Sequence, residues 1–348
     1  MAKRTPTYVG LEIEPSAVHA ASVTVNGALS VTAAALAPLE AGVVRDGEVT
    51  DIEALSAVLR TMWAEHKDLP KRVRIGVANQ KIVVRVIELP PITDPKQLAA
   101  AVRFRAQDEI PMPLDAAVLD FQALDVVETP DGPRQRVVLV AARRDMVDRV
   151  LLAARNAGLR VEGLDLAAFG MVRALAGSGG AALDETVLYL SIGGLTNLAV
   201  AQGTTCTFTR VVGGGIEALA VDLAERRGLT LEHARGWLSY VGLDAPLEEL
   251  DGDELILQDA RGILVDGVRR IAGEVRNTVD FHLSQGSSGG GATRCVLTGA
   301  AAAVPGFAAA LAHELGLPVV VGTVAGAPEA LGAQRFSVAA GLAIEEAV

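Results

Sequence analysis

Two strand-end segments carry residue types from which an anion cradle can be built: Glu12-Ile13-Glu14 early in the chain and Ser191-Ile192-Gly193-Gly194 in its middle. A glycine at such a turn lets backbone N–H groups approach a phosphate closely, because no Cβ stands in the way. Gly213-Gly214-Gly215 and Thr298-Gly299 add two more glycine turns. Taken singly, such a turn is far more often a structural hairpin than a phosphate clamp, and Gly213 to Gly215 also read as admitting close helix packing. A shared phosphate site requires an order that brings them together. Metal chemistry is not expected, since His19, His66, His233, His282 and His313 are scattered without ligand spacing. Cys206 and Cys295 lie far apart in apolar runs and form no CxxC, so they read as buried free thiols of a reducing compartment.

The elements that must position these residues repeat along the chain. Tyr8 to Ile13, Val18 to Val25 and Leu29 to Leu36 alternate into a three-stranded meander around an Asn26-Gly27 turn. Val187 to Ile192, Leu195 to Ala201 and Thr204 to Val212 repeat that order. The offset from Glu12 to Ser191 is about 179 residues, and a long-period duplication is a stronger fold signal than any one turn. Between the meanders Asp51 caps a helix that buries Ile52, Leu55, Leu59 and Met62, and Val73 to Val77 with Ile82 to Leu89 read as a hairpin. Asp94 and Pro95 open another helix, Ile110-Pro111-Met112-Pro113 ends it, and Val118 to Leu124 returns as a strand. From Arg136 the chain alternates strand and helix.

The pattern predicts two α/β halves. One is formed by 1–40, 136–180 and 331–348, with a small module inserted at 41–135; the other by 181–228 and 293–330, with a mainly helical subdomain at 229–292. Gly286 to Gly291 read as a flexible connector, and a last helix is expected near Val338 to Glu346.

With 348 residues and 50% hydrophobic content the chain can bury two cores, and 3% aromatics favour thin Val/Ile/Leu strands under Ala-rich helices. The formal net charge of −11 repels a nucleic-acid backbone, so no nucleic-acid partner is expected. No apolar run follows the basic N-terminal residues, and none reaches about 18 residues without a charge or breaker. The expectation is a cytoplasmic protein without direct membrane insertion, which meets the inner face of the membrane only through partners.

Particular segments resemble a known family. Gly10-Leu11-Glu12-Ile13, Leu89-Pro90-Pro91, Val102-Arg103-Phe104 through Gln107-Asp108-Glu109-Ile110-Pro111-Met112-Pro113-Leu114 to Val118-Leu119-Asp120-Phe121-Gln122, Val140-Ala141-Ala142-Arg143 and Glu274 to Phe281 are similar to PilM, the pilus relatives of the cell-division protein FtsA. The stretch from Arg103 to Gln122 is the most specific, because it lies in the inserted module and outside any shared nucleotide core.

The resemblance implies an α/β fold of the duplicated actin-like, ribonuclease H-like ATPase type. It also implies a scaffold whose groove takes the cytoplasmic tail of a PilN-like bitopic inner-membrane protein and links it to the pilus motor ATPase, with homo-oligomerisation as a further expectation. Arg103, Phe104, Ile110, Pro111 and Pro113 are the candidate groove residues. ATP and Mg²⁺ are the implied cofactors, and Glu12, Ser16, Ser191, Gly193, Gly194, Thr196, Gly214, Gly215 and Gly299 are the matching nucleotide positions.

That nucleotide set departs from the family pattern. Glu14 stands where the first phosphate turn has Gly, and Ser191 where the second has a metal-facing Asp. Leu229-Thr230-Leu231-Glu232 keeps the start of the helix that meets the base, but Ala234-Arg235 and Leu238 replace its charged partners. Gly299-Ala300-Ala301 replaces a triple glycine. The expectation is a degenerate site without catalytic residues. The alternatives are an ATP-binding, FtsA-like filament former, whose amphipathic basic C-terminal helix has no counterpart in Ala339 to Val348, and a small-molecule kinase, which would use an Asp base. Asp165 reads as a helix cap, and Glu12 as a solvated strand-end carboxylate.

Overall fold

The computed structural model describes residues 8–176, 185–284 and 291–344; the expected Gly286 to Gly291 connector lies almost wholly, and the end of the last helix partly, outside them. Alternating small and branched apolar residues build the first meander from β1 (Val9–Ile13), β2 (Ala17–Val25) and β3 (Leu29–Pro38). A ribbon of β4 (Val44–Arg45) and β5 (Glu48–Val49) leads to α1 (Ile52–Glu65). Asp51 caps α1 through the Ala54 N–H, and the helix buries Leu55, Leu59 and Met62. It delivers the chain to β6 (Arg72–Val77), which pairs parallel with β1.

A three-stranded antiparallel sheet follows, made of β7 (Val83–Leu89), β8 (Ala117–Thr129) and β9 (Gly132–Arg143), with α2 (Pro95–Glu109) on one face. The chain then returns through α3 (Arg144–Asn156) to β10 (Arg160–Leu166) and α4 (Ala167–Leu175). The second half is β11 (Thr186–Ile192), β12 (Thr196–Gln202), β13 (Thr205–Val212), α5 (Ile216–Arg227), α6 (Leu231–Val241), the long α7 (Glu254–Ser284), β14 (Arg294–Thr298), α8 (Phe307–Leu315) and β15 (Val319–Val321). α9 (Ser337–Leu342) closes the described chain.

The two large sheets share one topology. Their orders, β3-β2-β1-β6-β10 and β13-β12-β11-β14-β15, match position by position: an antiparallel meander, then two parallel strands. Each sheet has its own core on its outer face, around Leu11, Leu55, Leu59 and Ile75 in one and Leu190, Leu223, Leu264 and Phe307 in the other. Between the sheets, α4 and α9 form a common layer with Tyr189, Phe336 and Leu342. Glycines permit this closeness: a Cβ on Gly341 would lie 1.7 Å from the Gly170 carbonyl oxygen, and one on Gly10 would lie 1.8 Å from that of Ala339.

The inserted module is smaller than 41–135. α1 and β6 belong to the first large sheet, because β6 is the parallel partner of both β1 and β10. The β6–β7 hairpin expected from sequence is a junction between two sheets, and β9, assigned in part to the first half, is the central strand of the module.

Candidate functional site

The turns after β1 and β11 face each other across the cleft. Glu14 and Pro15 form the tip of the first, where the Glu14 N–H bonds to the Ala17 carbonyl at 2.9 Å. Their side chains lie directly on the second turn: a Cβ on Gly193 would sit 2.3 Å from Glu14 Oε1, and one on Gly194 would sit 2.6 Å from Pro15 Cδ. The Gly194 N–H lies toward the Glu14 carboxyl and favours its ionised form. Gly215 in turn lies against Gly193, where a Cβ would meet the Gly193 carbonyl oxygen at 2.2 Å. The glycines expected at a phosphate cradle are thus brought together, with Glu14 and Pro15 on them.

Charges of alternating sign continue from Glu14. Arg335, in a short 3-10 turn before α9, faces Glu14 and Glu217, and Glu217, in the first turn of α5, holds Arg235 of α6 through a two-toothed pair whose longer bond is 2.9 Å. Burial pushes the Glu14 carboxyl up to about 7, against the pull of the Gly194 N–H and Arg335. Leu238, the other position of the base-facing helix, is a core residue.

Glu12 is buried rather than solvated: it faces inward on β1, with Oε2 3.6 Å from His19 Nδ1 on the paired strand β2. Burial, then the Glu14 charge, hold it well above the usual carboxylate range. His19 is pushed down to about 3 by burial and then by Arg335. Asn197 on β12, also buried, aims its amide at the same region and makes no hydrogen bond within the described residues. Between Glu12, Glu14, Gly76, Leu195 and Asn197 the cleft leaves about 10 Å³, room for roughly one water.

The remaining positions have structural employment. The Thr196 hydroxyl donates to the Gly214 carbonyl at 2.9 Å, so it ties β12 to the turn after β13 instead of standing free as a donor. Ser191 is buried in β11 opposite Asn197, and the Ser16 carbonyl accepts the Leu39 N–H at 2.9 Å. Gly299 has φ +84° and approaches Ile192 so closely that a Cβ would lie 2.9 Å from its backbone. Asp165 caps no helix; it pairs with Arg173 beside the α4–α9 layer. Sequence reasoning missed Pro15, Glu217 and Arg335. Only the first had a visible signal, next to the departing Glu14.

In the inserted module, Phe104 is 70% exposed on α2, and Arg103, Pro111 and Pro113 are exposed near it in sequence. Ile110 is corrected: it is 5% exposed and closes the module core with Leu98, Val102 and Leu139. β7 and β8 are the sheet edges of the module. A polar cavity of about 560 Å³ opens between Gln80 of the β6–β7 junction and Arg210, Gly213, Glu274 and Asn277 of the second half. Among the described residues no group of three His, Cys, Asp or Glu side chains could hold a metal ion, and no helix is long and apolar enough to cross a membrane.

Two sheets of identical strand order around a cleft, with glycine turns meeting across it, define a protein of the duplicated actin-like class. Solved structures agree: the chain superposes on ethanolamine utilization protein EutJ from Carboxydothermus hydrogenoformans with a TM-score of 0.56 at 16% identity, covering 98% of this chain and 90% of that one. It superposes on ADP-bound MreB5 of Spiroplasma citri at 0.55 and 11% identity, covering 97% and 95%. The family model of type IV pilus assembly protein PilM matches residues 10–345, and the chain belongs to that family. A solved PilM-PilN type IV pilus biogenesis complex contains a chain matching this one with a TM-score of 0.78 at 26% identity over 97% of both.

Proposed function

We propose that this PilM-family chain is a non-catalytic adaptor of the pilus machine: its inserted module, with the adjoining first half, holds the extended cytoplasmic tail of a PilN-like membrane protein. The observation that carries this is the match over 97% of both chains to a chain of a solved PilM-PilN type IV pilus biogenesis complex. The module supplies what a short tail needs, namely an exposed apolar anchor in Phe104 and unpaired sheet edges for main-chain hydrogen bonds. The net charge of −11 favours a basic tail. Through this contact the protein sits at the inner face of the membrane and passes force or position to the motor.

The cleft residues fit a polyphosphate poorly. A carboxyl group covers the glycine turn, and the space left beside it, between Glu12 and Asn197, is about 10 Å³, too small for a phosphate group. ATP accordingly binds weakly or not at all and is hydrolysed negligibly. A fluorescent peptide copying the tail of the genomically adjacent bitopic protein tests the adaptor role. Phe104→Ala, whose side chain is mostly in solvent, is expected to weaken binding about tenfold or more without lowering the melting temperature. Equal affinity for both proteins would move the tail site off α2.

A further inference from the structure

We propose that Glu14 is a built-in ligand: its side chain occupies the glycine cradle of the opposite half and straps the two halves closed without nucleotide. This rests on the reading above that the cleft no longer serves ATP. The geometry comes from both halves. Glu14 and Pro15 belong to the β1–β2 turn of the first, while Gly193, Gly194 and Glu217 belong to the second. The Glu14 carboxyl sits on Gly193 with the Gly194 N–H toward it, the place a phosphate oxygen would take at such a turn.

Neither glycine has room for a Cβ, and the obstructing atoms are Glu14 Oε1 at 2.3 Å and Pro15 Cδ at 2.6 Å, both from across the cleft. The glycines are therefore fitted to Glu14 and Pro15. Arg335 lies within electrostatic reach of the carboxyl, and Glu217 and Arg235 continue the charges. An acceptor group and a facing cation are thus supplied by the chain. Pro15 fixes φ at the tip, so the strap loses little entropy when it seats. A ligand tethered within its own fold acts at millimolar or higher effective concentration, and a free nucleotide must displace it. The consequence is a partner-binding surface that keeps one shape whatever the nucleotide level.

Amide hydrogen exchange and small-angle scattering on the full chain test this. Glu14→Ala is expected to speed exchange at Gly194 and Leu195 by about tenfold and to raise the radius of gyration, while Glu14→Gln, which keeps the shape and an acceptor oxygen, stays like wild type. Arg335→Met, loosening the strap from the other side, is expected to speed exchange at Gly194 several-fold. Wild-type exchange and scattering in both Glu14→Ala and Arg335→Met overturn the proposal, and Arg335→Met alone decides it should Glu14→Ala fail to fold. Micromolar Mg-ATP binding by the wild type would defeat the surrendered-site reading separately, since the strap is measured without nucleotide.

Discussion

Glu14 faces Glu12 on β1, which has His19 of β2 beside it, as well as Arg335 before α9 and Glu217 on α5, and its net environment favours the neutral acid. In the unfolded chain this carboxyl releases its proton near 4.5, whereas in the fold it holds it to about 7. The folded state therefore binds more protons across that window, and Glu14 takes stability away as pH rises from about 4.5 to about 7. Glu12, raised for the same reason, acts in the same direction. His19 acts oppositely: buried neutral at about 3, it costs stability only as pH falls below the ordinary 6.5. Glu14→Gln is thus expected to flatten the fall in melting temperature between pH 5 and pH 8, most visibly above 6.5 where His19 is silent. Thermal scans across that range check it, and parallel wild-type and variant curves would count against a buried Glu14. Of this residue the sequence showed the departure from glycine; its burial depends on the opposing turn, 179 residues further on from Glu14 to Gly193.

At the level of elements, the α4–α9 layer joins the halves and tolerates no added volume. Gly341→Ala would place a methyl 1.7 Å from the Gly170 carbonyl oxygen, a backbone atom that cannot swing aside. A loss of about 2–3 kcal/mol is expected, read as a lower denaturant midpoint. Gly262→Ala on α7 is the contrast: nothing lies within 4 Å of its Cβ, and a helix-interior glycine there gives about 0.5–1 kcal/mol of stabilisation when replaced. Helix caps and strand alternation were legible in the sequence, as Asp51 and Asp94 show by accepting the N–H groups of Ala54 and Gln97. The sheet to which a strand belongs was not. β6 and β7 are separated by a short turn and look like a hairpin, yet β6 is drawn into the first sheet by parallel pairing with β1 and β10.

For the whole molecule, a glycine turn already covered by Glu14 and Pro15 predicts that nucleotide adds little. If Mg-ATP binds no tighter than about 1 mM, adding 1 mM contributes at most about 0.4 kcal/mol, and the melting temperature should rise by less than about 2 °C. A shift of 5 °C or more at that concentration would show a working site. The tail peptide, by contrast, is expected to stabilise wild type measurably and Phe104→Ala less, because it binds only the folded module.

What the sequence determined by itself was the repetition: two meanders of equal strand order, glycine turns at matching points and a family-like segment in the inserted module were all local patterns readable along one line. What only the tertiary structure decided was which side chains meet. Glu14 lies on Gly193, Arg335 within electrostatic reach of both Glu14 and Glu217, and Ile110 inside the module core rather than on its surface. Those contacts join segments far apart in the chain, and a local pattern carries no information about the distance between them once the two halves close.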